Sequence, residues 1–127
     1  MADEITVLAA ISCLNDNFRL PQIGSEQLTF DQAAQGGGVP GTVEIGTSEE
    51  NIDLSALTTE GWLWMRNLDD TNYVDWGPSS GGTSPVMVAI GRMEAGEPAL
   101  FRLKPEVTLR MQANVAACLV QILVLED

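Results

Sequence analysis

The sequence predicts an all-β fold, and three observations carry that prediction. No window of a dozen residues shows the i, i+3, i+4, i+7 apolar stripe of an amphipathic helix. Short β-rich runs recur between Gly, Pro, Asn and Asp clusters along the whole chain. Val107, Leu109 and Met111 alternate with Thr108, Arg110 and Gln112, the pattern of a strand with one face on a core and one in water. About eight or nine short strands with turns at regular spacing fit a two-sheet antiparallel sandwich, and a jelly roll is the leading topology. The chain is read as a single β-sandwich domain over residues 1–127, and no internal repeat interrupts it.

In chain order the expected strands are Ile5–Cys13, Gln27–Phe30, Thr42–Gly46, Gly61–Leu68, Asn72–Trp76, Val86–Ile90, Ala99–Leu103, Val107–Gln112 and Cys118–Leu125. The first and last are apolar at both parities, so both faces of each are expected to be covered, the last by the opposite sheet and by another subunit. Asn67-Leu68-Asp69-Asp70-Thr71-Asn72 reads as a hairpin turn, because Asn and Asp accept tight-turn dihedrals and bond their own backbone. Gly36-Gly37-Gly38 with Pro40-Gly41, and Pro78-Ser79-Ser80-Gly81-Gly82, read as loop tips.

Charge narrows function. The 127 residues hold 18 Asp and Glu, 6 Lys and Arg and no His, a formal charge of −12 with a pI near 4.1. Such a surface repels phosphate backbones and anionic lipid, so neither nucleic acid nor membrane is an expected partner. Without His there is no Ser-His-Asp or Cys-His relay and no imidazole ligand. With 45% hydrophobic residues and a mean hydropathy of +0.07, the chain still has the material for a core. The first sixty residues carry ten acids and one base, Arg19, whereas Arg66, Arg92, Arg102, Lys104 and Arg110 follow later. If that division holds in space, it separates an acidic side from a more balanced attachment side. For each Arg, pairing with a carboxylate of its own chain is the simplest expectation.

Cys13 and Cys118 sit in apolar runs and are expected to be free, buried core thiols. The N-terminal Met-Ala-Asp-Glu lacks the positive charge of a signal peptide, and no apolar run is long enough to span a bilayer as a helix, so synthesis in a cytoplasm without export by a cleaved signal is expected.

Candidate sites are few. Asp69, Asp70 and Asp75 are close in sequence, but turn chemistry explains the first two better than a metal does. Glu49 and Glu50 read as solvated loop charges. No nucleophile elbow or phosphate loop occurs, so no catalytic, cofactor or metal residue is assigned and no enzyme is expected. The aromatics are more informative. Trp62 and Trp64 share one parity, Trp76 ends the next run and Tyr73 lies between, which gathers four aromatics on one expected hairpin. An aromatic face beside Arg66 suits a protein interface or a carbohydrate platform, and large aromatics equally fill cores. The interface candidates are Trp62, Trp64, Arg66, Tyr73, Trp76, Arg102, Arg110 and Leu123.

The stretch Gly61-Trp62-Leu63-Trp64-Met65-Arg66-Asn67-Leu68-Asp69-Asp70-Thr71-Asn72-Tyr73-Val74-Asp75-Trp76-Gly77 is followed by Gly96-Glu97-Pro98-Ala99-Leu100-Phe101-Arg102-Leu103 and an apolar terminal strand. Together with Ile45-Gly46-Thr47 and Asn51-Ile52-Asp53-Leu54 upstream, it resembles small structural proteins of tailed bacteriophages over residues 42–127. The resemblance implies a non-enzymatic virion component. Its expected role is that of the jelly-roll capsid decoration or cement proteins, dimers or trimers on the capsid exterior that bridge major capsid protein subunits. A tail, baseplate or connector position is the alternative within that group, and a carbohydrate-binding sandwich is the alternative outside it.

Overall fold

A computed structural model describes residues 3–127, and within them the chain forms two compact units, one ending at Ala34 and the other spanning Gln35–Asp127. Met1 and Ala2, which begin the segment read against a signal peptide, lie outside the described residues. The sandwich occupies the second unit, from Gln35, and the residues before it form a compact unit of their own.

The first unit is a long antiparallel hairpin of β1 (Ile5–Asn15) and β2 (Phe18–Phe30), joined by a two-residue turn in which Asp16 adopts φ 45°. Asp tolerates the positive φ that such mirror-image turns need. The sequence reading ended β1 early and saw only the distal end of β2, because Pro21 and Gly24 interrupt the run. Two register shifts accommodate them, each giving β2 one residue more than β1 between successive partners. At the first, Gly24 has φ 95°, and a Cβ there would lie 2.1 Å from the Ala9 carbonyl oxygen, so only glycine fits. Ile5 and Val7 are buried, but the rest of β1 is exposed. Beyond Val7 the expected cover on both faces of this strand is absent among the described residues. Cys13 is likewise an exposed thiol rather than a core residue.

The second unit is the sandwich. Its strands are β3 (Gly37–Ile45), β4 (Glu50–Asn51), β5 (Glu60–Asn67), β6 (Val74–Pro78), β7 (Gly91–Met93), β8 (Pro98–Arg102), β9 (Leu109–Ala113) and β10 (Cys118–Glu126). One sheet has the order β3-β10-β5-β8 and the other β4-β9-β6-β7, all antiparallel. The pairs β3·β10, β4·β9, β5·β8 and β6·β7 are nested from the outside inward, which is a long hairpin folded over itself: a jelly roll. The expected fold class stands.

Alternation builds the core. Leu63 and Met65 on β5, Val120, Ile122 and Val124 on β10, and Leu109 and Met111 on β9 all point between the sheets and are buried, as is Cys118. Burial pushes the Cys118 thiol up from its ordinary value, with the Asp69 charge adding to the shift. Asn67 is the one buried polar side chain among the described residues. Its Nδ2 donates to the carbonyls of Asn72 (2.8 Å) and Met93 (3.1 Å), and its Oδ1 accepts the Asp69 amide (3.0 Å).

Three local expectations are corrected. Residues 67–72 are not a hairpin turn: β5 and β6 belong to different sheets, and Asn67 anchors a wider crossing. Gly37 and Gly38, with Pro40 and Gly41, are not a loop tip but part of β3, where a Cβ on Gly37 would meet Leu125 at 2.9 Å. Val86–Ile90 is no regular strand. It follows β6 through Val88 N–H to Pro78 O and Ile90 N–H to Trp76 O, but only a single bridge, Ser79 to Met87, forms, because the Val88 carbonyl crosses directly over Gly77.

Candidate interaction surfaces

The eight predicted interface residues separate into three groups. Trp62, Trp64 and Arg66 point outward from β5, opposite in parity to buried Leu63 and Met65. Register places Trp62 beside Arg102, and Trp64 between Leu123 of β10 and Leu100 of β8. Leu123 in turn faces Pro40, so Pro40, Leu123, Trp64 and Leu100 form one apolar row across all four strands. The Trp64 Nε1 donates to Gln121 Oε1 (3.2 Å), and the Arg66 Nε donates to the Gly96 carbonyl (3.1 Å). Arg102 pairs with Asp127. Five of the eight candidates therefore share one outer sheet face. The outer side of β10 is half covered within the monomer, and Leu119 remains 50% exposed.

Trp76 belongs elsewhere. Its ring stacks on Phe101 with centroids 4.9 Å apart and planes 9° from parallel, packed against the core, and Gly91 leaves room for it because a Cβ there would lie 2.3 Å from the indole. It is a packing residue rather than an interface residue. Tyr73 and Arg110 lie with the second sheet. Arg92 places its guanidinium 3.6 Å from the Tyr73 ring centroid while bonding Asp75 through two nitrogens at 2.7 and 3.2 Å. The hydrogen bond and charge of Asp75 raise the Arg92 pKa. Arg110 is held by Asn51 Oδ1 (2.8 Å) and Glu49 (3.4 Å) and has little exposed side chain. It is a clamp within the monomer. Bases thus occur with both sheets, so the sandwich does not gather them on a single attachment side.

The carboxylates have structural duties. Asp69 Oδ2 accepts the amides of Asn72 (2.6 Å) and Thr71 (2.9 Å), and those bonds hold its carboxyl below the usual carboxylate range. Glu49 and Glu50 are more than solvated charges, since Glu49 accepts the Met87 amide (2.8 Å) and Glu50 the Gly46 amide (3.0 Å). No three Cys, Asp or Glu side chains converge into a metal-sized group among the described residues.

The surface that sequence reading missed is on the hairpin. Register sets Ile5 against Phe30, Val7 against Leu28, Ile11 against Ile23 and Cys13 against Leu20 on one face, with Phe18 at the tip. The opposite face pairs Thr6 with Thr29, Leu8 with Gln27 and Leu14 with Arg19. The β2 bulges keep the apolar set in phase. Ile11 is 65%, Phe18 62% and Ile23 55% exposed. The signal was present as the Asp16-Asn17 pair between two apolar runs, but Pro21 and Gly24 hid the second run. No family model, curated protein or solved structure matches this chain.

Proposed function

We propose that this chain is a non-enzymatic virion structural protein, a capsid decoration or cement subunit that oligomerises on the outer shell and bridges major capsid protein subunits. The observation that carries the reading is the uncovered apolar ladder of the hairpin, Ile11, Phe18, Ile23 and Leu28, accompanying a jelly-roll sandwich. Exposed apolar surface of this kind marks an interaction site on a chain that works in contact with others. Jelly rolls occur among viral capsid and lectin domains, so the fold supports the reading without assigning it. The charge of −12 keeps the free protein soluble before assembly, and repeated weak contacts on a lattice sum to firm attachment. Mass spectrometry of purified particles from the genome that encodes the chain, followed by a density map, tests the proposal. Density for the chain on the shell is the expected result. Absence of the chain from particles overturns it, and density on the tail or connector moves the role to the alternative position.

Trp62 and Trp64 side by side on an outer sheet face favour one second reading, a carbohydrate platform. Unchanged tryptophan fluorescence across a panel of host glycans removes it.

A further inference from the structure

Strand edges differ sharply in how they are protected. A sheet edge offers unpaired amides and carbonyls to any strand that approaches, and proteins block such edges with charge, proline, bulges or brevity. In the sandwich, edge strand β4 has two residues and β7 three, β3 carries Gly37, Gly38, Pro40 and Gly41, and β8 carries Pro98 and Arg102. In the hairpin, β2 carries Arg19, Pro21, Glu26 and both bulges. β1 has none of these devices. Its eleven residues, ITVLAAISCLN, contain no charge, proline or glycine, and among the described residues it pairs with β2 alone.

We propose that β1 is a dimerisation edge whose partner is β1 of a second copy of this chain, antiparallel across a two-fold axis. Three observations select a second copy. The paired segment itself carries no charge, so two chains of −12 meet along it without opposing charged side chains, with Asp3, Glu4 and Asp16 only beyond its ends. Antiparallel pairing of a strand with itself is isologous, so one edge satisfies both copies and the assembly closes. The resulting sheet, β2-β1-β1-β2, then ends on both sides at the guarded β2 edge, which stops growth at two chains. A two-fold axis through an antiparallel pair runs perpendicular to the sheet, so the exposed Ile11/Ile23 pairs of both copies lie on the same side. The dimer presents one double-width apolar platform. This pairing is independent of the virion reading, because it concerns the free chain.

Sedimentation equilibrium on the full chain tests it. The expected mass is twice the 13.6 kDa of one chain. Ala10→Lys with Ser12→Lys, both at exposed β1 positions, is expected to weaken association by on the order of 100-fold through like-charge juxtaposition, with the circular dichroism of the sandwich retained. Gln22→Lys with Gln27→Lys on β2 is expected to leave the dimer intact. In the wild-type chain, β1 amides are expected to exchange more slowly as concentration rises, which tests the edge without any substitution. A wild-type chain that stays monomeric at millimolar concentration, β2 lysines that disrupt as strongly as β1 lysines, or concentration-independent exchange in β1 would each overturn the proposal.

Discussion

β1 and β10 are almost the same kind of sequence with opposite fates. ITVLAAISCLN and CLVQILVLE are both apolar at both parities, yet β10 lies between β3 and β5 with its inner face buried, whereas β1 has one neighbour and is exposed beyond Val7. An apolar run reports how much cover a strand needs. It does not report whether that cover comes from the same chain.

The comparison can be broken by substitution, with the largest effects expected in the sandwich. Trp76→Ala removes the ring stacked on Phe101 and should cost about 3–5 kcal/mol in denaturant unfolding, while Trp64→Ala, on the outer face, should cost markedly less. Ile122→Ala on β10 should cost about 2–5 kcal/mol, whereas Ile11→Ala on β1 should change stability by under about 0.5 kcal/mol; equal costs would mean that the hairpin ladder is covered within the monomer. Asn67→Ala strands the buried Met93 carbonyl and should cost about 2–3 kcal/mol, visible as a lower denaturation midpoint at constant slope. Asp75→Asn weakens a largely exposed pair with Arg92 and should lower the denaturation midpoint less than any of these substitutions in the sandwich.

The smallest effect concerns pH. The Asp69 carboxyl is lowered in the folded chain by the Asn72 and Thr71 amides, so it favours folding above the ordinary Asp pKa of about 3.9 and loses that contribution as pH falls through the lower folded value. Thermal unfolding of Asp69→Asn below about pH 4 should depend less steeply on pH than that of the wild-type chain.

What was legible follows from local pattern. Strict alternation made β9 readable, and apolar runs bounded by turn residues gave β5 and β10. The split of the aromatic cluster was not legible, because it depends on whether residues 67–72 turn back in one sheet or cross to the other. Asn67 settles that with bonds to Asn72, beyond the turn, and to Met93 in β7, a contact no local window contains. β2 was hidden because Pro21 and Gly24 signal a break, and only the β2 bulges turn that break into a continuous strand. Arg110 and Glu49, far apart in sequence, looked like independent surface charges until the fold joined them.

The nested strand order has a consequence for synthesis. The hairpin uses only neighbouring residues and can close once Phe30 has left the ribosome, but β10, which holds β3 and β5 together, is the last strand of the sandwich to be made. Pairings between distant segments are slow to form, so each nascent chain can pair its hairpin strands before its sandwich locks. On the β1 pairing proposed above, chains translated side by side from one message meet through their hairpins first.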